Sequence, residues 1–115
     1  MIEYFDSHCH LTDAAFRDDR EAVFRRAHEA GVTRLVSIAS SVEDARAALR
    51  LAQAPPADGP AFWITAGVHP HVVGEADPGD IAEIKALAGE HAEVVAIGET
   101  GLAYFYDTAP RAAQR

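Results

Sequence analysis

The sequence is short of cysteine, methionine and tryptophan, with one of each in 115 residues, and holds ten Lys and Arg against eighteen Asp and Glu. A single cysteine excludes an internal disulfide framework and suits a reducing compartment, so a cytoplasmic setting is expected. No apolar run approaches the ~18 residues of a membrane span, and Met1–Asp6 has neither a basic nor an apolar leader segment, so neither membrane nor secretion signal is predicted. The formal net charge of −8 excludes a basic stripe that would grip phosphate backbones by bulk charge. A nucleic acid or phosphate ester would need its cation from elsewhere. What is plentiful is apolar: 49% hydrophobic residues can offset chain entropy, and the length allows one domain, 1–115.

β-rich runs alternate with helical patterns. Strands are predicted at Ile2 to His8, Arg34 to Ala39, Phe62 to Val68 and Val94 to Gly98. A helix from about Asp19 to Ala30 has Asp18 as its expected N-cap, Glu21 completing a capping box and Gly31 as its stop. Ser41 caps a second helix over Val42 to Gln53, and Asp77 with Pro78 opens a third that Gly89 ends. Strand starts recur at about thirty residues, the size of one strand–helix unit. Four such units with β-branched strands predict an α/β fold with a parallel sheet covered by helices. Thr108–Arg111 looks like a further helix start, and a βα array halting there is expected of an N-terminal fragment. A four-stranded flavodoxin-like sheet is the alternative.

The polar residues with chemical potential lie at strand ends. Alternation puts Asp6, His8 and His10 on one face and Ser7 and Cys9 on the other. Two imidazoles at i and i+2 can chelate one metal, with Asp6 orienting a ligand ring, and Cys9 is expected as a small buried hydrophobe. After the third strand, Pro70 holds His69 extended, so that His69 and His71 point the same way. They are either a substrate-facing or supporting pair or two solvated loop histidines. Glu99, between Gly98 and Thr100-Gly101, is poorly explained as a surface charge and can ligate one metal or bridge two. His28 and His91 are expected to face solvent, and Phe62 and Trp63 to join the core. Every cluster falls at the carboxyl end of a strand, the rim at which parallel α/β folds bind ligands. The combination predicts a metal site.

Asp6-Ser7-His8-Cys9-His10-Leu11, Gly67-Val68-His69-Pro70-His71 and Gly98-Glu99-Thr100-Gly101-Leu102, in that order, resemble the TatD family of metal-dependent hydrolases, and Tyr104-Phe105-Tyr106-Asp107 with Pro110-Arg111 continues the likeness. The resemblance implies the (βα)4 portion of a (β/α)8 TIM-type barrel, with one or two divalent ions (Mg, Mn, Zn or Ni). It also implies nuclease activity on DNA or another phosphoester, as in deoxyribonucleases of the 3′–5′ exonuclease type. By that likeness His8, His10 and Glu99 are metal ligands, Glu99 is catalytic, and Asp6, His69 and His71 support the site or meet substrate. Ala103 stands where the family commonly has Asp, and the family's further His ligands and late Asp lie on strands beyond these four. Alternatives are a phosphoesterase of the polymerase-and-histidinol-phosphatase type and a non-catalytic metal-binding half-barrel.

Flat-sheet geometry sets one more expectation. The first and fourth strands are three spacings apart, about 14 Å, so in an open sheet their side chains stand parallel and cannot share an ion. The isolated chain is then expected to bind metal weakly through His8 and His10, to lack nuclease activity, and to self-associate through exposed sheet edges.

Overall fold

The computed structural model describes residues 2–115. Four strands, β1 (Tyr4–Cys9), β2 (Val32–Ser37), β3 (Ala61–Ala66) and β4 (Val94–Ile97), alternate with three helices, α1 (Arg20–Glu29), α2 (Val42–Gln53) and α3 (Asp80–Glu90). Short 3-10 turns cover Ala14–Phe16 and Val73–Glu75. All strand pairs are parallel, in the order β1-β2-β3-β4. A strand order without reversal means that every crossover steps the same way, so the crossover helices fall on one face. The flavodoxin-like alternative, whose strand order reverses, is thereby set aside.

Each helix packs on the strand that follows it: α1 on β2, α2 on β3, α3 on β4. Phe24, Leu35, Val42, Ala45, Ala48, Leu49, Phe62, Ile64, Ile84 and Val94 form the core between the layers, and Phe24 meets Phe62 edge to face at 5.5 Å. On the edge strand β1, Tyr4 and Phe5 are both 54% exposed. Trp63, predicted for the core, is half-buried, and alternation from Phe62 and Ile64 puts it on the face away from the helices. The radius of gyration is 15.0 Å against about 13 Å for a closed globule of this length, as expected of a sheet covered on one side.

Several boundaries differ from the sequence reading. Helix α1 starts after Asp19, not Asp18, and no side-chain cap bond forms, so the Asp18–Glu21 box is absent. Helix α3 begins at Asp80 behind Gly79; Asp80 instead accepts the Asp77 N–H at 3.1 Å, and Gly89 lies inside the helix. Helix α2 has the predicted ends: Ser41 Oγ accepts the Asp44 N–H at 3.1 Å. The tail makes one turn on Pro110, with Ala113 N–H donating to its carbonyl at 2.9 Å.

Candidate metal centre

The rim above the strands' carboxyl ends is built from buried polar residues set in apolar strands. Ser37 is fully buried, and its Oγ accepts the Leu11 N–H at 3.1 Å, tying the loop after β1 to β2. Thr65 Oγ1 donates to the Gly98 carbonyl at 2.7 Å, and Gly98 N–H donates to the Ala66 carbonyl at 3.1 Å, so the turn after β4 is stitched to β3. Gly67 allows this approach, since a Cβ there would lie 2.7 Å from Gly98 O. Sequence reading missed Ser37 and Thr65; their signal was a lone hydroxyl in each of two apolar runs.

On this frame His8, His10 and Glu99 converge. One ligand atom from each lies within 4.8 Å of the others, and His8 Nε2 is 3.8 Å from Glu99 Oε2. The flat-sheet expectation that β1 and β4 cannot share an ion is therefore corrected: four strands already curve enough to aim both outer strand ends at one point. An ion with metal–ligand bonds of 2.0–2.2 Å in tetrahedral geometry needs ligand atoms about 3.4 Å apart. The His8–Glu99 pair, at 3.8 Å, approaches that spacing and the three ligand atoms lie within 4.8 Å; two imidazoles with one carboxylate are a donor set that divalent ions accept. The residues present fit a metal.

The ring orienter is not the expected one. The β1–β2 register slips by one residue between Asp6 and Cys9, which breaks the alternation placing Asp6 with His8 and His10. Asp6 Oδ1 accepts the His8 backbone N–H at 3.1 Å. His10 Nδ1 meets the Ile38 carbonyl at 3.0 Å. A carbonyl only accepts, so Nδ1 carries the proton and the Nε2 lone pair is left for a ligand bond.

His69 and His71 are adjacent, ring centroids 4.6 Å apart. His69 Nδ1 accepts the His71 N–H at 3.0 Å, so in the neutral ring Nε2 carries the proton, and it faces Glu99 Oε1 at 3.7 Å. His69 thus borders Glu99 on the side opposite His8. Cys9 packs against the core, its Sγ–H donating to the Val36 carbonyl at 3.3 Å. Burial, with the nearby Asp6 charge, pushes its thiol up to about 12. His28 is exposed and His91 half-buried.

A parallel sheet covered by helices, with this cluster at its carboxyl rim, defines the class, a parallel α/β protein with a candidate metal centre. Residues 5–115 match the family described as TatD related DNase, and the chain belongs to that family. Among its relatives, the 3′-5′ ssDNA/RNA exonuclease TatD of Musicola paradisiaca is 42% identical over 98 residues, covering 85% of this chain and 36% of the relative. The protein of that name from Salmonella typhimurium is 41% identical over the same length and shares. The solved TatD homologue YJJV of Escherichia coli k12 superposes with a TM-score of 0.77 at 32% identity, covering 90% of this chain and 39% of that one. A TatD family hydrolase of Entamoeba histolytica has a TM-score of 0.84 at 24% identity, over 97% of this chain and 42% of its own. The chain spans little more than a third of the length of these curated relatives. Family membership sets the polymerase-and-histidinol-phosphatase alternative aside.

Proposed function

We propose that this chain carries the first part of the metal centre of a phosphodiester hydrolase, as the amino-terminal half of an eight-stranded barrel, and that the whole protein cleaves DNA or a related phosphoester. The carrying observation is the convergence of His8, His10 and Glu99 within 4.8 Å across the full width of the sheet. His8, His10 and Glu99 would hold the ion, which when bound supplies a Lewis acid for the phosphoryl oxygen and a more acidic water. The Ile38 carbonyl keeps His10 in the tautomer with a free Nε2. His69 turns its Nε2–H toward Glu99 Oε1 at 3.7 Å, while Oε2 lies 3.8 Å from His8 Nε2. A cation at this point also answers the charge problem, since an acidic protein then offers positive potential at the one place where phosphate binds.

The named activity of the relatives, single-stranded DNA and RNA exonuclease, supports the substrate class. We infer a cytoplasmic setting from the single free thiol; no helix among the described residues is long and apolar enough to cross a membrane. The position of β1 and β4 at the two edges of the sheet supports association through those edges.

Titration calorimetry with Mn2+ and Zn2+ on the 115-residue chain tests the centre. One ion per chain is expected, with affinity falling at least tenfold in His10→Ala and Glu99→Gln, as loss of a ligand should exceed the 10–100-fold effects of outer partners. Equal affinity in wild type and both variants refutes the assignment. Metal-dependent release of nucleotides from single-stranded DNA tests the activity.

A further inference from the structure

The loop after Glu99 carries an aromatic feature that the metal centre does not use. Phe105 is 90% exposed and Tyr106 69% exposed, their rings edge to face at 5.0 Å. An edge-on neighbour covers little of a ring face, so broad π surface stays open to solvent. Tyr104 differs: the Arg111 guanidinium lies over it at 4.6 Å, and Arg115 Nε donates to its hydroxyl at 3.3 Å. The two arginines of this segment are thus engaged with Tyr104, and Arg111 also with Asp107 at 3.4 Å. The loop is held from below by Gln114, whose Oε1 accepts the Ala103 N–H at 2.8 Å and whose Nε2 donates to the Ala103 and Ala109 carbonyls at 3.2 and 3.1 Å. The rings therefore stand on a clamped loop.

Tyr106 also connects to the candidate centre. It meets His71 edge to face at 5.7 Å, His71 meets His69 at 4.6 Å, and His69 Nε2 faces Glu99 Oε1 at 3.7 Å. Aromatic step and ligand carboxylate thus lie on one continuous rim. With a net charge of −8 and Arg111 and Arg115 engaged with Tyr104, this segment offers little to a phosphate backbone, and contact with bases is the affinity it can add. Stacking on an aromatic face is the sequence-tolerant way to hold a base, and only a base free of its duplex can use it.

We propose that Phe105 and Tyr106 are a stacking step for an unpaired base of the strand whose phosphate occupies the His8–His10–Glu99 centre. This rests on the metal-centre reading, and the test separates the two. Fluorescence anisotropy of a labelled six-nucleotide oligothymidylate with phosphorothioate linkages, which resist cleavage, is followed with Mn2+ present. The same backbone made fully abasic is the comparison. Wild type should bind the intact strand about tenfold more tightly than the abasic one, the low end of what base–aromatic stacking provides. Phe105→Leu with Tyr106→Leu should lose that preference while its Mn2+ affinity by calorimetry stays at the wild-type value, and Tyr106→Trp should keep it. Both rings are exposed, so folding is not at stake, and circular dichroism checks it. Equal binding of intact and abasic strands by wild type overturns the proposal, as does an undiminished preference in the double Leu variant or no oligonucleotide binding at all. Absence of Mn2+ binding with base preference retained would sink the metal centre and leave the stacking step standing.

Discussion

Gly67→Ala is the substitution that most directly links packing to the site. The added Cβ would sit 2.7 Å from Gly98 O, 2.8 Å from Gly98 C and 3.2 Å from its Cα, all backbone atoms, where ordinary contact begins at 3.4 Å. Relief therefore needs a displacement of about 0.7 Å between the ends of β3 and β4, because no flexible side-chain tip can give way. The carbonyl being pushed is the one that Thr65 Oγ1 holds at 2.7 Å, and the next residue is Glu99. Overpacking of this kind costs about 1–3 kcal/mol, or a fall in Tm of roughly 4 °C per kcal/mol for a chain of this size. Metal sites tolerate deviations of about 0.2 Å in ligand distance, so the same movement should weaken Mn2+ binding about tenfold or more. Gly89→Ala is the matched control: it lies inside α3 with nothing within 4 Å of its added Cβ, and should stabilise by ~0.5–1 kcal/mol through helix propensity. Differential scanning calorimetry and metal titration read both. A Gly67→Ala protein with wild-type Tm and wild-type Mn2+ affinity refutes the claim that close approach of β3 and β4 sets the position of Glu99.

Two further predictions concern groups beside the site. Ser41→Ala removes the acceptor of the Asp44 N–H and should cost about 1 kcal/mol, seen as a lower urea midpoint with unchanged slope; an unchanged midpoint would mean that water replaces the cap at no loss. For Cys9, the thiol ionises at 9.0 in the unfolded chain and is pushed up to about 12 in the fold. A raised acid pKa means the folded state holds the proton, so its contribution to stability is full below pH 9 and declines as pH rises from 9 toward 12. With metal removed by EDTA, iodoacetamide at pH 8.5 should modify the native chain far more slowly than the chain in urea, and comparable rates would contradict the burial.

Most of the fold was legible because its signals were local. Ser41 followed by the Ala45, Ala48 and Leu49 stripe gave both ends of α2, and the apolar run Phe62–Val68 gave β3 to within two residues. The capping residues of α1 and α3 were misread for a common reason. An Asp near a helix start is a plausible cap on composition, yet Asp19 caps α1 without a side-chain bond and Gly79, not an Asp, caps α3; where the end falls is decided by how the preceding turn meets the sheet, a tertiary matter. The slip between Asp6 and Cys9 was likewise invisible, since alternation assumes an unbroken ladder and a bulge is set by the partner strand. That slip transferred the orienting of the His10 ring from a side chain, Asp6, to a main-chain carbonyl, Ile38, which no pattern of residue types can announce.

The site itself divides along the same line. The candidate residues could be picked out because metal chemistry demands particular side chains at strand ends, whereas their convergence depends on curvature. Treating the sheet as flat put the β1 and β4 ends about 14 Å apart, yet His8 Nε2 and Glu99 Oε2 are 3.8 Å apart. Twist between neighbouring parallel strands accumulates, and here every connection steps in one direction, so bending has the same sense from β1 to β4. The β3–β4 junction is further drawn in where Gly67 and Gly98 meet and Thr65 Oγ1 donates to the Gly98 carbonyl. The side chains gathered at this rim come from the ends of β1, β3 and β4. Four strands thus already bring His8, His10 and Glu99 within 4.8 Å of one another, so the gathering of these three side chains does not wait on a closed ring.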